Sequence, residues 1–167
     1  MKQIIVAITL SLFFTATLTY AATLTLDGAI ILDTQQPAVE CIINSGSMLE
    51  VHFGTIVTDK IDGLNYLTDV PLTLDCSNVD AEARSGKTLT LEYSGTTTRF
   101  TADAIVTSME GLGIELQQNG KIFQPGESLI ISEASLPILK AVPIKEPGKN
   151  LAEGNFEAFA ILVAEYQ

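Results

Sequence analysis

The sequence predicts an all-β sandwich, and three observations carry that reading. Short segments with apolar residues at every second position recur along the chain. Turn-forming residues separate them, and no segment holds a sustained 3.6-residue period. The 167 residues are one ordinary domain in length, without internal repeats or low-complexity tracts.

Residues 1–21 stand outside that domain. Lys2 gives a positive start, Ile4 to Leu18 is apolar with interspersed threonines, and Thr19-Tyr20-Ala21 puts small residues at −3 and −1 of a cut after Ala21. This is the pattern of a secretory signal peptide. A membrane span needs ~20 strongly apolar residues, and Thr9, Ser11, Thr15, Thr17 and Thr19 dilute this run. Removing 21 of 167 residues leaves 146, and losing Lys2 takes the formal charge from −11 to −12. An acidic surface argues against nucleic acid and anionic membranes as partners.

From Ala22 the period is 2. Ala22, Leu24, Leu26, Gly28, Ile30 and Leu32 lie on one side, and Thr23, Thr25 and Asp27 on the other. Asp33-Thr-Gln-Gln-Pro37 then reads as a polar linker. This divides the chain into 1–21, an N-terminal extension over 22–36 and a body over 37–167.

Within the body, strands are expected over Ala38–Ile43, Leu49–Phe53, Val70–Cys76, Thr88–Tyr93 and Phe156–Tyr166. Leu112–Leu116 and Leu129–Ile131 read as short strands around the turn Asn119-Gly120. Leu136–Ile144 contains Pro137 and Pro143, which predicts an edge or bent strand. Val79–Ala83 fits a loop or a helical turn. The final strand carries Ala158-Phe-Ala-Ile-Leu-Val-Ala164, a run apolar enough for a strand covered on both faces. Left exposed it is an aggregation hazard, so either the chain's own N-terminus or another molecule should cover it.

Cys41 and Cys76, a pair in an exported chain, read as one disulfide closing a loop of 76 − 41 = 35 residues. Metal binding needs more ligands, and His52, the sole histidine, is not spaced with either cysteine. His52 alternates away from Val51 and Phe53, toward solvent. Asp59-Lys-Ile-Asp-Gly63 lacks the alternating oxygen ligands and final Glu of a calcium loop. Ser85-Gly-Lys-Thr88 echoes a phosphate loop, but Ala81 stands where its first glycine belongs. With one histidine and no nucleophile signature, no catalytic residues, metal, cofactor or small-molecule substrate are expected.

Several stretches together resemble the pilins of the chaperone–usher pathway. The C-terminus reads Gly154-x-Phe156-x-Ala158-x-Ala160 with a penultimate Tyr166. Glu40-Cys-Ile-Ile-Asn-Ser-Gly46 and Glu50-Val-His-Phe-Gly54 are similar to the corresponding run of minor or adaptor pilins. Asp62-Gly-Leu-Asn-Tyr66, Leu72-Thr-Leu-Asp-Cys76, Gly113-Ile-Glu-Leu116 and Phe123-Gln-Pro-Gly126 fit the same family. The resemblance covers essentially all of 22–167.

That resemblance implies an incomplete immunoglobulin-like β-sandwich, the pilin fold, which lacks its last strand and carries an N-terminal donor strand. It implies a fimbrial subunit with three kinds of partner: a periplasmic pilus chaperone, an outer-membrane usher and neighbouring pilin subunits. A strand lent by the chaperone would fill the groove until the next subunit's extension replaced it, a strand-addition mode that is general. The family's donor pattern maps onto Ala22, Leu24, Leu26, Gly28 and Ile30, with Gly28 where only glycine is tolerated. The acceptor groove maps onto Gly154, Phe156, Ala158, Ala160, Leu162, Ala164 and Tyr166, with the Gln167 carboxylate held by the chaperone. The route would lead through the periplasm to a fimbrium on the cell surface, in support of adhesion. Two other readings are a receptor-binding tip adhesin and a self-contained secreted immunoglobulin-like binding protein.

The cysteine pairing predicts that mass spectrometry of the exported protein finds Cys41 and Cys76 joined. Their reduction should lower stability by about 3–4 kcal/mol in urea unfolding. Two free thiols would contradict the exported compartment.

Overall fold

The computed structural model describes residues 25–33 and 39–167. The expected signal peptide over 1–21, Ala22, Leu24 and the expected boundary between Gln36 and Pro37 lie outside the described residues.

Two larger sheets form the body. The first runs β10 (Ser128–Ile130), β6 (Leu89–Ser94), β12 (Gly154–Tyr166), β1 (Thr25–Asp33) and β3 (Leu49–Val57). The second runs β4 (Thr68–Val70), β11 (Leu139–Lys145), β8 (Leu112–Gln118) and β7 (Ala104–Val106), and β9 (Lys121–Phe123) also pairs with β8. The core is contributed by both: Val51, Ile56, Leu91, Tyr93 and Leu162 from the first, Ile105, Ile114, Leu116 and Ala141 from the second. A small third sheet pairs β2 (Ile42–Ile43) with β5 (Leu74–Asp75). The Cys41–Cys76 disulfide staples it from the two residues flanking those strands.

Several boundaries differ from the expectation. Val70–Cys76 is not one strand. Pro71 has no N–H to continue the ladder, and the chain leaves β4 to re-enter as β5 in another sheet. The Asn119-Gly120 turn joins β8 to β9, with Gln118 opposite Lys121. Both turn residues have positive φ, 48° and 77°, as a tight two-residue hairpin requires. Leu129–Ile131 instead contributes β10, in the other sheet. Pro143 sits in β11 beyond the part paired with β4, so its missing N–H costs nothing on that side. A single helical turn, α1 (Ala81–Arg84), occupies the ambiguous stretch. β7 had no clear signal in the sequence.

β12 corrects a further expectation. Its apolar run is not covered on both faces. Phe156, Ala158, Ala160, Leu162 and Ala164 are buried, while Phe159 is 60% and Ile161 36% exposed. The sandwich gives each sheet one inner face, so the alternate residues of even an apolar strand meet solvent.

Tyr93 packs against Phe123 with ring centroids 5.5 Å apart. Its buried hydroxyl has no hydrogen-bond partner among the described residues. Burial, aided by the nearby Glu115 carboxylate, pushes it far above the usual tyrosine range. A buried unpaired hydroxyl costs about 1–3 kcal/mol. Tyr93→Phe should therefore leave urea stability unchanged or raised, and a loss above about 1 kcal/mol would show that the hydroxyl is bonded.

Candidate strand-docking cleft

The functional geometry lies between β3 and β12. At one end the segment that leads toward β3 is joined directly to β12. The Cys41 N–H donates to the Ala164 carbonyl at 2.8 Å, and the Tyr166 N–H to the Val39 carbonyl at 3.2 Å. Glu40 bridges Glu165 between them. The chain then bends away through β2 and the Asn44–Gly46 turn before returning as β3. From Leu49 to Val57 the body alone leaves a gap beside β12, one strand wide. Facing edges of β3 and β12 would have unpaired backbone groups there, over a buried floor of Phe156, Ala158 and Ala160.

In this chain β1 fills the gap. It pairs with β12 in parallel, from Leu26 opposite Gly154 to Asp33 opposite Ile161. It pairs with β3 antiparallel, from Thr25 opposite Val57 to Leu32 opposite Leu49. Ile30 is fully buried among core residues, a contribution of roughly 1.5–3 kcal/mol before ordering costs. Of the two covers that the apolar C-terminal strand called for, the single chain uses its own N-terminus.

The direction of β1 follows from its tether. Asp33 and Val39 are 39 − 33 = 6 residues apart, a reach of at most about 22 Å. Val39 is anchored beside Tyr166 at the closed end. A reversed β1 would end beside Gly154, about 40 Å of strand away. The chain's own extension therefore fits only parallel to β12, whereas an untethered strand is free to enter either way.

The expected donor and acceptor residues divide accordingly. Gly28 and Ile30 are opposite Phe156 and Ala158, and Leu26 is opposite Gly154. Ala160 faces Leu32 across the ladder, and Leu162 and Ala164 lie beyond β1, paired with Tyr93 and Leu91 of β6. Tyr166 and Gln167 lie at the closed end. The Gln167 N–H donates to the Thr88 carbonyl at 3.0 Å, and its own carbonyl accepts from the Thr88 N–H at 2.9 Å. The Tyr166 hydroxyl bonds the Glu133 carboxylate, which Arg84 also reaches at 3.3 Å. That bond is the main cause raising the Tyr166 pKa.

Sequence reasoning missed the second wall. Leu49, Val51 and Phe53 were legible as one face of a strand, but not as the partner of β1. Phe53 lies 6.1 Å from Phe156, centroid to centroid. His52 is exposed as expected, 3.2 Å from Glu50.

Glu40 is the electrostatic oddity of the closed end. It is buried, and one carboxylate oxygen has no partner among the described residues. Burial first, and Glu165 second, raise its pKa above the ordinary glutamate value. Between the ordinary glutamate value and the raised one the folded chain binds the proton more tightly than the unfolded chain, so stability falls as pH rises through that window. Glu40→Gln should raise the thermal midpoint at pH 7, with the gain shrinking toward zero below about pH 4. An equal gain at both pH values would show that the charge is not the cause.

With the cleft defined, relatives become informative. The Fimbrial protein family profile matches residues 24–167. The uncharacterized fimbrial-like protein YfcQ of Escherichia coli (strain K12) is 36% identical over 130 residues, covering 76% of this chain and 79% of the relative. A second such protein of that strain, YfcR, is 33% identical over 123 residues, covering 71% and 69%. Among solved structures, the P pilus rod subunit PapA matches with a TM-score of 0.57 at 22% identity, covering 76% of this chain and 99% of that one. The P pilus adaptor subunit PapF matches with a TM-score of 0.56 at 21% identity, covering 76% and 95%. Rod and adaptor match equally, so the fold does not divide shaft from adaptor. The pilin sandwich, the two fimbrial-like relatives and the matched profile agree: this chain belongs to the fimbrial protein family and is a structural subunit of a surface fimbria.

Proposed function

We propose that this subunit enters its fibre by strand exchange. Its N-terminal strand leaves its own cleft and docks into that of the next subunit, while a strand from a neighbour replaces it. The observation that carries the reading is the cleft between β3 and β12. It accepts the 25–33 strand by backbone pairing on both sides, with Ile30 buried in the core. Backbone pairing supplies affinity and alternate side chains supply specificity, the general logic of strand addition.

In this reading a periplasmic chaperone holds the cleft first and an outer-membrane usher catalyses the handover. The exported mature chain is then residues 22–167. Ala22, Leu24, Leu26, Gly28 and Ile30 serve as donor positions, and β12 from Gly154 to Tyr166 is the acceptor strand. The role is structural, with no chemistry assigned to any side chain. Placement as an adaptor rests on the Cys41-to-Gly54 stretch.

A second reading has its own support. β1 already occupies the cleft of its own chain, as it would in a self-contained binding domain. Exchange separates the two. The tether gives β1 an effective concentration on the order of millimolar, so the chain is unfolded and refolded in excess labelled peptide of residues 22–33. Stable uptake on a native gel is expected. Refolding to a peptide-free monomer at every peptide concentration would support the self-contained domain and overturn exchange.

A further inference from the structure

We propose that the open edge of β10, with the apolar groove beside it, is a strand-docking surface separate from the β1 cleft, and that it takes an extended, apolar and basic segment of a partner protein. β6 and β12 stand between this edge and β1. The inference therefore holds whether or not β1 is exchanged.

The backbone of β10 is only half used. It is the outermost strand of its sheet and pairs with β6 alone. The Tyr93 N–H donates to the Glu127 carbonyl at 3.2 Å, and the Ile131 N–H to the Leu89 carbonyl at 3.0 Å. An antiparallel strand turns alternate residues toward its partner. Glu127, Leu129 and Ile131 therefore face β6, and the N–H and C=O groups of Ser128 and Ile130 point outward. None of those outward groups has a backbone partner among the described residues. Edge strands are ordinarily guarded by a charge, a proline or a bulge. Ser128-Leu129-Ile130 carries none of these.

A groove of about 520 Å³ runs along that edge. Leu129, Ile130 and Ile131 line it from β10, and Leu136, Pro137 and Ile138 from the segment that leads into β11. The rest of its lining is amide and serine side chains, so no charged residue lines it. Ile130 and Ile138 are 74% and 62% exposed, which leaves two large apolar side chains in water beside unpaired backbone groups. An added strand would cover both and bond to the outward N–H and C=O groups.

Charge selects among the strands that would fit. Glu92 is opposite Ser128 in the ladder, and Glu127 directly precedes β10. Neither has an ion-pair partner among the described residues. Glu133 and Lys140 nearby are already paired, with Arg84 and Asp69. On the far wall, Lys121 is opposite Gln118 across the β8–β9 hairpin. Two carboxylates against one ammonium, on a chain of formal charge −11, favour a basic occupant and oppose a second copy of this chain.

The probe is a labelled heptapeptide of alternating lysine and valine, titrated by fluorescence anisotropy against the folded full chain. Saturable binding is expected. Ile130→Pro should weaken it by roughly tenfold or more, because proline removes an outward N–H and leaves the β6 ladder whole. Ile138→Ser should weaken it several-fold by removing part of the apolar wall. Ile122→Ser, at an exposed isoleucine outside the groove, should leave it within about twofold. The fully N-methylated peptide should not bind, and a glutamate–valine heptapeptide should bind roughly tenfold more weakly or worse.

No saturable binding to the wild-type chain would overturn the proposal. Binding that Ile130→Pro leaves unchanged would also overturn it, since a peptide in the β1 cleft is indifferent to that edge. Equal binding of the glutamate–valine peptide would overturn the basic partner. A dimer that forms with rising concentration and is abolished by Ile130→Pro would give the surface to a second copy, against the partner stated. If Ile130→Pro does not fold, the backbone arm passes to the N-methylated peptide, whose binding would overturn strand docking.

Discussion

Everything in this molecule depends on an unpaired gap between two strands. The segment ahead of β3 meets β12 where residues 39–41 pair with 164–166, and β3 itself stands one strand away from β12. Backbone groups on both facing edges need partners, and the side chains beneath them need cover. Neither need can be met by adjusting rotamers, because it takes a whole strand. The body is therefore obliged to find a β-segment, and in this chain β1 supplies it.

The closed end of the gap limits how it is filled. The disulfide holds Cys41 to Cys76 at the point where the chain bends out of the ladder. The C-terminus is pinned on its other side by Thr88 and, through Tyr166, by Glu133 and Arg84. With that end anchored, the short tether forces the chain's own extension to run parallel to β12. A strand supplied by another molecule would carry no such tether, and its direction would not be limited in this way.

Inside the gap, small and large residues divide the work. Ala158 and Ala160 give a low floor, and Ile30 fills the space above it. At Gly28 the arrangement inverts, with the body supplying the bulk as Phe156 and the strand supplying none. This inversion marks the register. A strand displaced by two residues would keep its inner face yet bring a side chain against the ring.

The sequence alone determined the β architecture, the disulfide and the N-terminal strand, because each is a local or compositional property. Period-2 alternation survives any arrangement of strands, and two cysteines allow only one pairing. Gly28 was legible as special from its place in an alternating strand. Only the tertiary structure decided what made it so. The proximity of Gly28 to Phe156 and the identity of β3 as the second wall join residues far apart in the chain. The two-sided cover expected for β12 failed for the same reason. Residues 158–164 are apolar throughout, but which face meets solvent is decided by the opposing sheet, which no local pattern encodes.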